Sequence, residues 1–370
     1  MLVSYCKENK LLSYFGCVNK QEKYIQRCLQ IAANALGNVS PNPMVACVVV
    51  HNDIIIGEGY HVNYGEAHAE VNAINSIKDK ALLKDATLYV SLEPCSHQGK
   101  TPPCSDLIIE SGIKKVVIAC TDTNPVVAGK GFEKLKRAGV EVISGVLEKE
   151  ARELNKRFFT FHEFKRPYII LKWAQTADGF IDNIRTENTE PALQISNEHS
   201  KRLLHKWRSE EQAIMVGTNT ARMDNPRLDV RLVNGKYSLR MLLDKNLELA
   251  ESLNVFDGSQ PTLVFTSKKK DEKNNTVYIT LDFEKNVLNQ VMNVLHQKQI
   301  HSVIVEGGSK LLQSFIDDNL WDEARVFISE MFISNGVVAP KLNIEPTSID
   351  AIESDKLFVF QNPKPITDFR

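Results

Sequence analysis

No apolar run in this chain of 370 residues approaches the roughly 18–20 that a membrane-spanning helix requires. Nor is there an excess of one charge sign. Lys and Arg number 45, Asp and Glu 46, and the pI is about 6.8. A general binder of nucleic acid or anionic membrane needs a basic face, so neither is expected as a partner. Cysteine is scarce and odd in number, seven in all, which argues against a disulfide framework. Each cysteine taken alone reads first as a small buried apolar side chain. Internal repeats and low-complexity tracts are missing, as is a G-x-G-x-x-G after a strand, the dinucleotide fingerprint of Rossmann folds. Residues 1–20 hold Lys7 and Lys10 before a short run broken by Ser13 and Tyr14, with no small-x-small cleavage site. They read as an extension, and the protein as cytoplasmic.

What is present is an ordinary globular balance, 43% hydrophobic and 25% charged, with a length that implies two or three domains. Apolar spacing predicts helices over 21–36, 67–77, 105–111 and 132–138. Strands are expected at 45–50 and 54–57, joined by a turn at His51-Asn52-Asp53, and at 86–92, 115–120 and 140–144. Such alternation makes a helix-layered α/β sheet. A charged helix over 148–157, ended by Phe158–Phe161, reads as a linker. A second α/β pattern then starts at Pro167. Its strands are expected at 168–174, 212–217, 239–243, 261–266, 301–305 and 323–329, and its helices at 198–208, 283–296 and 311–319. The Lys268-Lys269-Lys270 run reads as a solvated loop.

One constellation in the first half carries chemistry. His68-Ala69-Glu70 opens a helix, Pro94-Cys95 ends a strand, and Pro102-Pro103-Cys104 opens another helix. One imidazole and two thiolates suit a single Zn²⁺ and leave a fourth position for water. A thiolate at a helix N-terminus is also favoured by the helix dipole. Glu70, two residues from His68, can sit beside the metal without ligating it. Zinc lowers the pKa of a bound water towards ~7, which equips the site to attack an amidine-like carbon and expel ammonia. Zinc deaminases carry H-x-E followed by P-C-x-x-C. Here eight residues, not two, separate Cys95 from Cys104. A zinc clip or a pair of core cysteines is the other reading, but a structural site would usually supply a fourth protein ligand.

Residues 59–61, 68–71 and 93–104 resemble the bifunctional riboflavin-biosynthesis deaminase–reductases, with Pro41-Asn42-Pro43-Met44-Val45 and Asp122-Thr123-Asn124-Pro125 in support. The long loop before Cys104 is that family's form of the deaminase motif. The resemblance spans about residues 21–340 and is more specific in the first half. It implies a cytidine-deaminase-like α/β/α sandwich over 21–147 and a dihydrofolate-reductase-like α/β domain over 148–370. It further implies a small-molecule substrate, a diaminohydroxypyrimidine bearing a ribosylamino 5′-phosphate, and a homo-oligomer is expected. Asn42, His61, His97 and Lys100 would hold the substrate; Asn42 offers both donor and acceptor to a pyrimidine edge.

The second half contains Val303-Ile304-Val305-Glu306-Gly307-Gly308-Ser309 before a helix, a plausible phosphate cradle. The family resemblance makes NADPH the cofactor, carrying hydride to the ribose carbon attached to nitrogen. By motif match, Ala174, Thr220, Asp224, Gly307 and Gly308 would line the cofactor site. Arg208, Leu228, Arg231 and Glu306 would contact substrate. Lys172, Asp224 and Glu306 would lie nearest the sugar, as the catalytic polar groups of reduction. A lysine inside an apolar strand, as Lys172 is, is hard to explain structurally. The family pattern is broken at Phe180 and at Gln194-Ile195-Ser196, where a stacking aromatic is missing. A deaminase whose second domain binds ligand without reducing it is therefore a rival. Two others are a single-strand nucleic-acid deaminase, which lacks a basic aromatic-interleaved stretch, and a non-catalytic zinc module, which would not need Glu70.

Overall fold

The computed structural model describes residues 19–98, 102–123 and 129–366. The chain divides into two compact units, Met1–Lys156 and Arg157–Arg370.

The first unit runs α1 (Lys20–Ala32), β1 (Ala46–His51), β2 (Ile54–Tyr60), α2 (Ala69–Ser76), β3 (Thr87–Val90), α3 (Cys104–Glu110), β4 (Lys115–Ile118), α4 (Lys130–Arg137), β5 (Glu141–Ser144) and α5 (Glu148–Leu154). Its sheet has the order β2-β1-β3-β4-β5. The strand β1 is antiparallel to both neighbours, while β3, β4 and β5 are parallel. The hairpin turn falls at Asn52 and Asp53, both at positive φ (47° and 64°), as tight two-residue turns demand. Two glycines in β2 let α2 lie directly on the sheet: a Cβ at Gly59 would stand 2.5 Å from the Ala73 nitrogen, and one at Gly57 2.6 Å from the Ala73 oxygen. That close approach fixes where α2 begins, and so where His68 stands. The core gathers Val49, Ala73, Leu88, Ile108, Val116 and Leu135 from both layers.

The charged stretch after β5 does not form one helix. It breaks at Asn155, and the Asn155 side chain accepts from Met44 N at 2.8 Å and donates to Met44 O at 2.9 Å. With Ala151 and Asn155 buried, α5 packs as part of the first unit rather than hanging as a linker. Phe158–Phe161 does not end the helix either. It forms the buried centre of α6 (Lys156–Phe164).

The second unit continues with β6 (Tyr168–Gln175), β7 (Phe180–Asp182), α7 (Glu198–Glu210), β8 (Ala213–Gly217), α8 (Thr218–Asp224), β9 (Leu239–Leu243), β10 (Thr262–Thr266), β11 (Thr276–Thr280), α9 (Val287–Gln297), β12 (Ser302–Gly307), α10 (Ser309–Asp317), β13 (Glu323–Ile328), β14 (Val337–Val338), β15 (Ser348–Ile352) and β16 (Asp355–Gln361). Its main sheet has the order β11-β10-β9-β8-β12-β6-β13-β16-β15, and β7 pairs with β14 apart from it. Seven neighbouring strands, β11 to β13, run parallel; β16 and β15 close the edge antiparallel. Ile169, Leu171 and Trp173 of β6 join one core, Tyr168 and Ile170 the other. Burial on both faces explains the continuous apolar runs of these parallel strands.

Candidate active sites

Three helix starts and strand ends build the first site. His68 is the N-cap of α2, Cys104 is the first residue of α3, and Cys95 follows β3 by way of Glu93 and Pro94. One ligand atom from each lies within 4.8 Å of the others. His68 Nδ1 is 3.6 Å from Cys95 Sγ and 3.4 Å from Cys104 Sγ. Zn–N of about 2.05 Å and Zn–S of about 2.3 Å at a tetrahedral angle require roughly 3.6 Å between N and S. The residues therefore fit one zinc ion and leave a fourth position open. Without metal the two thiols share a proton: the bond from Cys104, helped by His68, pulls Cys95 down, while the same bond and burial push Cys104 up. The Cys104 main-chain N–H also donates to Cys95 Sγ at 3.3 Å.

Glu70 sits in the first turn of α2, only 3% exposed. Burial first, then the Cys95 charge, raises its carboxyl above the ordinary range. It interacts with Cys104 and His68, so it stands at the metal-binding triangle. His61 packs edge-on to the His68 ring at 5.4 Å. Its Nδ1 is 3.1 Å from Ala67 O and its Nε2 3.1 Å from Asn42 Nδ2. A carbonyl can only accept, so Nδ1 carries the proton and Nε2 accepts from Asn42. The amide oxygen of Asn42 is thereby turned away from His61. His97 lies exposed at the end of the described stretch, and Lys100 lies outside the described residues, as does Asn124.

Glu93 is a residue the motif reading gave no task. Its buried carboxylate accepts four main-chain N–H groups, from Asp122, Gly129, Gly131 and Phe132, at 2.9–3.2 Å. It fastens the start of α4 to the segment that carries Cys95. The only sequence signal was its place in Glu-Pro-Cys.

The second site lies at the carboxyl ends of β6, β8 and β12, where ligands gather in open α/β sheets. Register sets Val305 opposite Leu171, which brings Glu306 beside Lys172 on the next residue of each strand. Burial lowers Lys172 to about 8 against the pull of Glu306, with Arg208 adding to the fall. Arg208 is not a surface ion pair: at 9% exposure it grips Glu306 through Nε and Nη2, at 2.7 and 2.6 Å. Arg231 lies more open and pairs with Asp229. Leu228 is buried, at φ 52°. Asp224 pairs instead with Arg185, which also holds Asp182; Arg185 was not singled out in the sequence. Ala174 follows Lys172 two residues on, on the same face of β6.

Gly307 and Gly308 precede α10, whose first intrahelical bond is Leu312 N to Gly308 O. The N–H groups of Ser309, Lys310 and Leu311 are left for an anion. Gly307 has φ 130°, a conformation that L side chains rarely adopt, and a Cβ at Gly308 would stand 2.9 Å from Thr220 Oγ1. The cradle thus fits a cofactor phosphate, and a side chain at Gly308 would have to displace Thr220 Oγ1.

Residues 18–120 match the cytidine and deoxycytidylate deaminase zinc-binding region, and residues 167–348 the RibD C-terminal domain. Among curated relatives, the riboflavin biosynthesis protein RibD of Aquifex aeolicus is 42% identical over 331 residues, covering 87% of this chain and 90% of its own. RibD of Escherichia coli is 34% identical over 334 residues, covering 85% and 89%. The crystal structure of a diaminohydroxyphosphoribosylaminopyrimidine deaminase/5-amino-6-(5-phosphoribosylamino)uracil reductase from Thermotoga maritima superposes with a TM-score of 0.84 at 35% identity, covering 93% of this chain and 99% of its own. Fold and sites define a two-domain enzyme, a zinc-dependent cyclic-amidine deaminase with an NADPH-dependent reductase. The chain belongs to the RibD family of bifunctional riboflavin-biosynthesis enzymes, with both domains present. No described helix is long and apolar enough to cross a membrane.

Proposed function

We propose that this enzyme hydrolytically deaminates diaminohydroxyphosphoribosylaminopyrimidine and then reduces the ribosyl group of the product to ribityl with NADPH. The observation that carries the reading is the His68–Cys95–Cys104 triangle with buried Glu70 at its side. When bound there, zinc supplies Lewis acidity. Glu70 takes one proton from the attacking water to the adjacent ring nitrogen and moves the second from the new hydroxyl to the amino nitrogen, so that the ring amino group leaves as ammonia and a carbonyl remains. Asn42, oriented by His61, reads the pyrimidine edge; His97 and Lys100 complete the substrate contacts.

In the reductase unit, Gly307 and Gly308 with the start of α10 hold the cofactor phosphate, and Ala174, Thr220 and Asp224 line its site. Lys172 and Glu306 face the sugar, where the ammonium can supply a proton as the ring opens to accept hydride. Arg208, Leu228 and Arg231 place the substrate. We divide the two activities between the units met on either side of residue 156. Two cysteines kept as thiolate ligands are in keeping with a reducing compartment, which supports a cytoplasmic enzyme. We expect a homo-oligomer without nucleic-acid or membrane partners.

The test is sequential. Zinc-loaded protein given the diaminopyrimidine substrate should release ammonia without NADPH, then oxidise NADPH in step with deaminated product. Ammonia release without any NADPH oxidation would leave the chain a deaminase alone; neither reaction would defeat the proposal.

A further inference from the structure

Two buried side chains of α7, three residues apart, reach the same neighbouring segment. Arg208 Nη1 donates to Asp229 O at 3.1 Å, and the main-chain N–H of Arg231 donates to His205 Nδ1 at 3.3 Å. His205 is 3% exposed, and its bond to the Arg231 main chain is half-buried. Just upstream, buried Leu228 turns the chain at φ 52°. Because Arg208 also grips Glu306, one turn of α7 ties the end of β12 to the segment that carries Arg231. The Arg231 side chain is itself 54% exposed, open to an anionic ligand.

We propose that His205 is a positioning residue for the reduction: its Nδ1 holds the Arg231 main chain so that the guanidinium meets the substrate. The inference rests on Arg231 being a substrate contact, as proposed above. A ring nitrogen accepts an N–H only when it carries no proton, so the hold belongs to the neutral imidazole with hydrogen on Nε2. The groups facing the ring are Arg208 on α7, Asp229 and Arg231 on the segment, and Glu306 on β12. Burial and the two arginines favour the neutral form, and the two carboxylates oppose them. Acid releases the hold.

The experiment measures NADPH-dependent reduction of 5-amino-6-(5-phosphoribosylamino)uracil by the full zinc-loaded chain. His205→Leu removes the acceptor; His205→Asn offers a side-chain oxygen near the place of Nδ1. The Leu variant should raise KM for the uracil substrate about tenfold, the loss of one half-buried hydrogen bond, with kcat and the NADPH Kd largely kept. The Asn variant should restore KM. As pH falls, KM of the parent should rise more steeply than that of His205→Asn, since only the parent has a ring to protonate there. Arg231→Ala is the reference. If it leaves KM unchanged, the substrate role of Arg231 fails. If it raises KM while His205→Leu does not, or if His205→Asn fails to rescue, the positioning role alone is overturned. Should His205→Leu lose NADPH binding through misfolding, the two pH profiles decide: parallel profiles overturn the inference.

Discussion

Lys172 gives the reductase a titration that can be moved. Burial holds its ammonium at about 8, with Glu306 pulling it up and Arg208 pushing it down. At that value about nine-tenths of it is charged at pH 7 and about half at pH 8. If the ammonium serves the sugar, kcat for reduction falls on the alkaline side with a midpoint about 8. Glu306→Gln keeps the shape of the side chain and removes the charge that favours the ammonium. An opposite charge at close range shifts a pKa by roughly 1–3 units, so the midpoint should drop by about that much. The charged fraction at pH 7 then falls to half or less. The same change leaves Arg208 without its carboxylate, so folding must be checked by NADPH binding, and kcat read at saturation with both substrates. Lys172→Met should abolish the alkaline limb together with most of the rate. An unchanged midpoint in Glu306→Gln, or a surviving limb in Lys172→Met, would refute the assignment.

Other outcomes follow from the same geometry. Cys95→Ser or Cys104→Ser should release the zinc, measured by metal analysis after dialysis; zinc retained in both would defeat the ligand set. Glu70→Gln should keep the zinc and slow deamination about 10²–10⁴-fold, and a wild-type rate would remove Glu70 from the proton path. Gly308→Val should weaken NADPH binding in a calorimetric titration while zinc content holds, because its side chain must enter the space beside Thr220; an unaltered Kd would show that the cradle lies elsewhere. His301 is lowered from 6.5 to about 3 and His162 from 6.5 to about 4, chiefly by burial. Both bind protons more readily unfolded, so their contribution to stability is full above about 6.5 and is lost as pH falls towards 4 and 3. Denaturant titrations should show His301→Phe flattening that acid loss, and an identical slope would count against it.

The zinc triangle was legible because its residue types are rare and each falls at a helix start or strand end that local pattern marks. The strands at the centre of the second sheet were legible for a different reason: burial on both faces leaves apolar runs that need no partner to be recognised. Edge strands give no such signal. β15 is almost wholly exposed, and β7 and β14 are three and two residues long, so nothing periodic announces them. The break at Asn155 was hidden too, because its cause is Met44, more than a hundred residues away.

The residues that sequence reading passed over share a feature. Glu93 acts on the main chain of Asp122, Gly129, Gly131 and Phe132, His205 on the main chain of Arg231, and Arg185 on Asp224. None needs to touch a ligand to do this; each aims a group for which a ligand contact is proposed. Their partners are set by tertiary placement, and main-chain donors carry no residue identity, so no motif could name them. The residues that meet zinc, cofactor or substrate must have particular chemistry and so leave a pattern in the sequence. Those that aim them need only a hydrogen-bonding atom at the right place, which is why Glu-Pro-Cys and the histidine three residues before Arg208 acquire meaning only in the fold. Functional precision within about half an ångström depends on such supports, and substitutions at Glu93 or His205 should accordingly alter binding constants before they alter the chemistry itself.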